Sequence, residues 1–266
     1  MIPKIIHFIW LGDKEKMNDS EKIKKCIASW HEHMPDYQYM LWTEDNFDID
    51  YNDFTRQAYD KGQYAFVSDV IRLYALYTYG GIYMDTDVFC YKPLDEFLTD
   101  PAFTGFEDIN YPVTATMGAE PYNPIIKLML DYYDCIDFKT YDVWTDYIKY
   151  QETNTCIMSN ILGMLGIDRK KNEKQTIKNF VVYPQSYFFT QGEGWTWHSF
   201  TGSWRTMITT TDYCMKRHCK TCKRNEECRL LNATLHKRLM QKPFENLEEI
   251  LKTKNGNKSR QHNIYK

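Results

Sequence analysis

The stretch YGGIYMDTDVF, residues 79–89, runs through apolar side chains into two carboxylates, Asp85 and Asp87, separated by one threonine. Leaving two such carboxylates unneutralised at the edge of a core is costly. Read as a strand, the segment puts residues i and i+2 on one face, so Asp85 and Asp87 are expected to project together with Thr86 opposite. Like charges so close either share a proton or bind a cation. Hard oxygen ligands suit Mg²⁺, Mn²⁺ or Ca²⁺. Taken alone D-x-D is weak, because a solvated acidic strand end is common. The preceding segment AFVSDVIRLYALYTYGG, residues 65–81, adds Asp69 and Arg72 at i, i+3 on one helix face, away from the stripe Phe66, Val70, Leu73. As a surface ion pair they contribute ~0.3–0.5 kcal/mol. The functional alternative is that they hydrogen-bond a polyhydroxylated ligand beside the metal.

Several elements must position these groups. KIIHFIW (4–10) is a short β-branched and aromatic run suited to a buried parallel strand. DSEKIKKCIASWHEHMP (19–35) predicts a helix capped by Asp19 or Ser20, with Ile23, Cys26, Ile27 and Trp30 on one face. YQYMLWT (37–43) predicts a second strand, and strand–helix–strand opens an α/β domain. Phe66, Val70, Leu73 and Tyr77 predict a helix stopped by Gly80 and Gly81, and a strand then starts at Gly81. Further strands are expected over 101–107 and 180–189, and a helix over 123–136 with Pro124 at its start. Parallel α/β sheets bind ligands beyond the carboxyl ends of their strands, which is where the two carboxylates would fall.

The 266 residues suffice for one large domain or one domain with an appendage. No uninterrupted apolar run reaches the ~18 residues of a membrane span, and the N-terminal MIPKIIHFIWLGDKEK reads as a core strand, not a signal peptide. Aromatic residues make up 16 %, including 21 Tyr and 7 Trp, so some are free to form platforms for sugars or bases while most fill the core. The net charge of −3 divides into +9 over residues 213–266 and −12 over residues 1–212. That asymmetry suggests a catalytic domain over 1–212 and a basic helical appendage over 213–266, facing an anionic surface or simply solvated. Of the 8 cysteines, Cys26, Cys90, Cys135 and Cys156 are scattered and expected to be buried thiols. Cys214, Cys219, Cys222 and Cys228 cluster, and four thiols so close are candidate Zn²⁺ ligands, although the spacing departs from the usual two-knuckle pattern.

The segment VSDVIRLYALYTYGGIYMDTDVF (67–89) closely resembles the sugar-nucleotide segment of the DXD glycosyltransferases of family 32, a group of yeast-type mannosyltransferases and bacterial capsular-polysaccharide transferases. More distantly it resembles the glucosylating domains of the large clostridial toxins. IPKIIHFIWLG (2–12) resembles that family's first strand, and YPQSYFF…HSFTGSW (183–204) its last shared block. The resemblance implies a GT-A fold, an α/β Rossmann-like sheet that binds a nucleotide-sugar, most simply a UDP-sugar. It implies base contacts from Ile9 and Trp10, and ribose and sugar contacts from Ser68, Asp69 and Arg72. Tyr83 would lie against the donor, with Thr86 among the donor contacts. Asp85 and Asp87, with His198 as a further ligand, would hold Mn²⁺ or Mg²⁺ and through it the diphosphate. Ser203 and Trp204 would close over the diphosphate. Asp85, Asp87 and Arg72 would carry the catalysis. The implied acceptor is a glycan or a lipid-linked molecule, at a cytoplasmic site with peripheral contact to the inner membrane face through the basic tail. Retention of anomeric configuration is implied, and no nucleic acid is. QETNTCIMSN (151–160) departs from the family's Gly-Pro pattern on the acceptor side, so acceptor identity stays open.

Two rival readings use the same residues. A phosphatase of the haloacid-dehalogenase type also places D-x-D after an apolar strand, but that strand is normally the first of its domain, and Asp69 and Arg72 would have no role. A non-catalytic nucleotide-sugar-binding module would retain the fold without turnover, yet Asp69, Arg72, Asp85 and Asp87 are all present together.

Overall fold

The computed structural model describes residues 1–108, 111–112, 114–135, 138 and 154–199. The chain runs β1 (Ile5–Ile9), α1 (Lys14–Asp19), α2 (Glu21–His33), β2 (Gln38–Trp42), α3 (Asp53–Asp60), α4 (Tyr64–Tyr79), β3 (Gly81–Met84) and β4 (Val88–Cys90). It continues through β5 (Ala102–Asp108), β6 (Tyr111–Pro112), β7 (Thr116–Ala119), α5 (Pro124–Tyr132), α6 (Asn154–Met164), β8 (Gln175–Ile177), β9 (Phe180–Tyr183), α7 (Gln185–Phe188) and β10 (Thr196–His198). The central sheet has the order β2-β1-β3-β7-β5-β9-β8, with β6 paired to β5. β2, β1 and β3 are parallel, with Ile5 opposite Gln38 and His7 opposite Tyr83. β7 is antiparallel to both β3 and β5, and β9 runs parallel to β5. The result is the α/β sheet expected from the sequence, a Rossmann-like parallel half extended by mixed strands.

Local chemistry explains the boundaries. Ser20 caps α2 by accepting from the Ile23 N–H, and Asn123 caps α5 by accepting from Ile125 and Ile126 ahead of a helix that starts at Pro124. α4 stops at Gly80, whose φ of 65° closes the helix without a Cβ penalty. Gly81 follows at φ 105°, and a Cβ there would lie 2.7 Å from the Ile5 carbonyl oxygen of the neighbouring strand. Helix, glycine pair and strand are therefore one rigid joint between Arg72 and Asp85.

The strands bury both faces. On one side Ile9, Tyr83, Phe106 and Met117 pack against α3, α4, α5 and α6. On the other, Ile6, Phe8, Ile82, Met84 and Phe103 pack against Trp30 of α2, Met34 just after it, and Phe188 of α7. Trp30 is fully buried, and burying a side chain of that size contributes roughly 3 kcal/mol.

Two expectations need correction. The run 180–189 is not one strand: β9 ends at Tyr183, Pro184 caps α7, and residues 185–188 turn helical. Cys26 and Cys90 are buried thiols as expected, whereas Cys135 is exposed at the end of the turn after α5. Helices α1 and α3 and strand β7 are elements beyond those expected from the sequence. Ser203, Trp204, the four clustered cysteines and all of 213–266 lie outside the described residues.

Candidate functional site

The two carboxylates do not sit in a strand. β3 ends at Met84, and the chain turns through Asp85–Thr86–Asp87, with the Val88 N–H donating to the Asp85 carbonyl at 3.0 Å. The i, i+2 argument therefore gives the wrong geometry, and the turn produces the convergence instead. The Asp85 N–H donates to the Ala115 carbonyl at 2.9 Å, which ties one end of the turn to the segment before β7. β4 holds the other end. It pairs antiparallel with β10, putting His198 opposite Val88. The Ser199 N–H and hydroxyl both donate to the Asp87 carbonyl, at 3.1 and 2.8 Å.

This register brings His198 Nε2 to 3.1 Å from Asp87 Oδ1 and 3.8 Å from Asp85 Oδ2. One ligand atom from each of Asp85, Asp87 and His198 falls within 4.8 Å of the others. Two carboxylate oxygens and one imidazole nitrogen form a donor set that Mn²⁺ or Mg²⁺ fits. Burial alone lowers the His198 pKa, but the hydrogen bond to Asp87 and the charges of Asp85, Asp87 and Glu107 outweigh it and raise it. The imidazole is thus held in a strongly negative environment, as a cation would be.

Behind the carboxylates lies a buried brace. Arg72 contacts Asp69 at 2.9 Å and Asp85 Oδ1 at 3.3 Å, and donates to the Thr114 carbonyl at 3.0 Å and to Ser68 Oγ at 3.2 Å. Its guanidinium lies 4.6 Å from the centre of the Tyr83 ring, and the Tyr83 hydroxyl donates to Asp85 Oδ1. Side-chain exposure is 6 % for Arg72, 13 % for Asp69 and 25 % for Asp85, so this is no surface ion pair. Burial opposes the charge on Arg72, but Tyr83, Asp85 and Asp69 hold it firmly protonated. Burial pushes the Asp69 carboxyl up, against the pull of Arg72.

The other expected residues fall around this centre. Ser68 donates to the Ala65 carbonyl and stands one residue before Asp69. Tyr83 is buried behind Asp85, not at the surface. Ile9 packs into the core at the end of β1, while Trp10 beyond it is half-buried, its indole donating to the Asp13 carbonyl at 2.8 Å. Thr86 forms the middle of the turn.

Three supporting groups were not singled out from the sequence. The Trp30 indole donates to the Val88 carbonyl at 2.7 Å, Ser29 Oγ accepts from the Cys90 N–H at 3.0 Å, and Asn154 Nδ2 donates to the Asp69 carbonyl at 3.3 Å. Trp30 reads as an ordinary apolar position, and nothing in its spacing signals the indole hydrogen bond. Asn154 lies in the 151–160 stretch expected on the acceptor side, and its hydrogen bond ties it to α4.

Residues 20–104 match the model of the glycosyltransferase sugar-binding region containing the DXD motif. The chain is 42 % identical over 109 residues to inositol phosphoceramide mannosyltransferase 3 of Schizosaccharomyces pombe, a match covering 38 % of this chain and 29 % of that protein. It is 33 % identical over 144 residues to mannosyl phosphorylinositol ceramide synthase CSH1 of Saccharomyces cerevisiae, covering 50 % of this chain and 36 % of that protein. The matched region thus spans about a third of the length of these curated relatives. Among solved structures, the PaToxG glycosyltransferase aligns over 61 % of this chain and 69 % of its own, with 20 % identity and a TM-score of 0.44. The turn that gathers Asp85 and Asp87, and the helix that carries Asp69 and Arg72, both lie inside the matched segment. The chain is thus similar, over residues 20–104, to the glycosyltransferase sugar-binding region containing the DXD motif.

Proposed function

We propose that the protein transfers a hexosyl group from a nucleotide-sugar to a hydroxyl of a glycan or lipid-linked acceptor, with a divalent cation held by Asp85, Asp87 and His198. The observation that carries this reading is the convergence of those three ligand atoms next to the buried Arg72–Asp69 pair. The cation, when bound, supplies Lewis-acid neutralisation of the diphosphate. The chain's own residues do the rest. Arg72 and Tyr83 fix Asp85 Oδ1, leaving Oδ2 directed toward the cation side with His198. Asp69, partly open beside Ser68, is the hydrogen-bonding group for donor hydroxyls. Trp10, at the end of β1, is the group for the base.

In the transfer, the bond between the anomeric carbon and the diphosphate oxygen breaks, and its electron pair leaves with the nucleoside diphosphate. The acceptor oxygen bonds to the same carbon, and its proton passes to the leaving phosphate. Retention of configuration is part of the proposal. The two relatives' names make mannose the first hexose to test alongside glucose. The +9 charge of residues 213–266 supports an anionic membrane surface as the setting of the acceptor, and salt-sensitive liposome co-sedimentation tests that part.

The decisive assay is release of UDP or GDP from a panel of UDP- and GDP-hexoses, with Mn²⁺ and with excess EDTA. Metal-dependent release from at least one donor supports the reading. Equal release in EDTA, or phosphate release from simple esters instead, refutes it.

A further inference from the structure

The α2 helix lines the same site by a route that the DXD segment does not use. Lys22, Cys26, Ser29 and Trp30 recur at i, i+4, i+7 and i+8, one stripe of the helix. The lower part of the stripe is the scaffold of β4: Trp30 donates to Val88 and Ser29 accepts from Cys90. One turn higher, Cys26 is buried, and desolvation pushes its thiol up to about 11, with the charge of Asp87 adding to the rise. At the top of the stripe, Lys22 Nζ donates to the Ser199 carbonyl at 3.2 Å. Ser199 is the residue that holds the Asp87 carbonyl and follows His198.

Charge balance shows what this ammonium is for. Asp69 is set against Arg72, and Asp85 and Asp87 against a divalent cation. The site is then neutral before a nucleoside diphosphate brings its own negative charge, which grows by one as the glycosidic bond breaks. An ammonium has three donors, and the Ser199 carbonyl takes one of Lys22's. Lys22 is exposed on the first turn of α2, where the helix N-terminus also favours an anion.

We propose that Lys22 is a phosphate-contacting residue of the donor site, placed by its Ser199 hydrogen bond to neutralise the leaving diphosphate next to the Asp85–Asp87–His198 centre. This rests on the donor-site reading above and names a residue outside the DXD segment and the Arg72 brace.

The test uses the full chain with Mn²⁺ and four probes: UDP, GDP, uridine and guanosine, followed by ligand-observed NMR titration. Lys22→Met should weaken binding of whichever diphosphate the wild type prefers by about tenfold or more, as expected for losing a charge-assisted phosphate contact. Affinity for the matching nucleoside and for Mn²⁺ alone should not change, and Lys22→Arg should restore most of the diphosphate affinity. Unchanged diphosphate affinity in Lys22→Met overturns the proposal. Equal losses for nucleoside and diphosphate with a lowered melting temperature also overturn it, because Lys22 would then be a strut for Ser199. Failure of the wild type to bind either diphosphate refutes the donor-site reading itself, and Lys22's role falls with it.

Discussion

Replacing Arg72 by methionine removes a group that bridges α4 and the carboxylate turn. An exposed i, i+3 pair on a helix contributes ~0.3–0.5 kcal/mol. Arg72 and Asp69 are only 6 % and 13 % exposed, and the same guanidinium also satisfies Asp85 and the Thr114 carbonyl. Removing one partner of a buried pair leaves the others uncompensated and costs roughly 3–5 kcal/mol. Methionine fills most of the volume, so the loss reports electrostatics and hydrogen bonding more than a cavity. Urea unfolding at neutral pH without metal gives the number directly. Lys24→Met, which breaks the exposed pair with Glu21, is the control and should leave the midpoint unchanged. Arg72→Lys should fall between, since an ammonium cannot make the forked contacts. A cost below about 1 kcal/mol for Arg72→Met would place the pair in the surface class and refute the brace.

Two further predictions test the scaffold. The Trp42 indole donates to His7 Nδ1 at 3.1 Å, so Nε2 carries the proton toward the Gly80 carbonyl at 2.7 Å, and burial lowers the pKa from 6.5 to about 4. The folded protein thus takes up this proton less readily than the unfolded chain. The His7 contribution is therefore complete above pH 6.5 and declines as pH falls toward 4, by at most about 3 kcal/mol; urea unfolding of wild type and His7→Asn across that window checks it, and identical pH slopes would contradict it. Gly81→Ala combines a φ of 105° with a Cβ placed 2.7 Å from the Ile5 carbonyl, so a loss of at least about 1–3 kcal/mol and weaker Mn²⁺ binding are expected, measured by thermal unfolding and metal titration.

The parallel half of the fold was legible because its signals are local. β1, α2, β2 and α4 carry local periodic or apolar signals, and their expected boundaries agree with the structure to within a few residues, while β3 starts at Gly81 as expected but ends early at Met84. The site was legible as a set of residues but not as geometry. D-x-D after an apolar run reads as a continuation of the strand, and the hydrogen bond from Val88 back to Asp85 shows a turn instead. Spacing alone leaves Arg72 open between a surface partner of Asp69 and a ligand contact, because it is blind to what packs over a helix face. Here the Tyr83 ring, the Thr114 carbonyl and Asp85 all cover it. His198 was reachable only through family resemblance, since its place at the centre depends on β10 pairing with β4 across more than a hundred residues of chain. The supports from Trp30, Ser29 and Asn154 leave no pattern in the sequence, because each is a single side-chain hydrogen bond to a distant backbone group.

The central claim is that Asp85, Asp87 and His198 form a cation site that serves a nucleotide-sugar. Electron paramagnetic resonance titration of Mn²⁺ into the full chain tests it most directly, with and without UDP or GDP, for the wild type and for Asp87→Ala. The account predicts saturable Mn²⁺ binding that tightens when the preferred nucleoside diphosphate is present and is lost in Asp87→Ala. Mn²⁺ binding that ignores both the nucleotide and the substitution would contradict it.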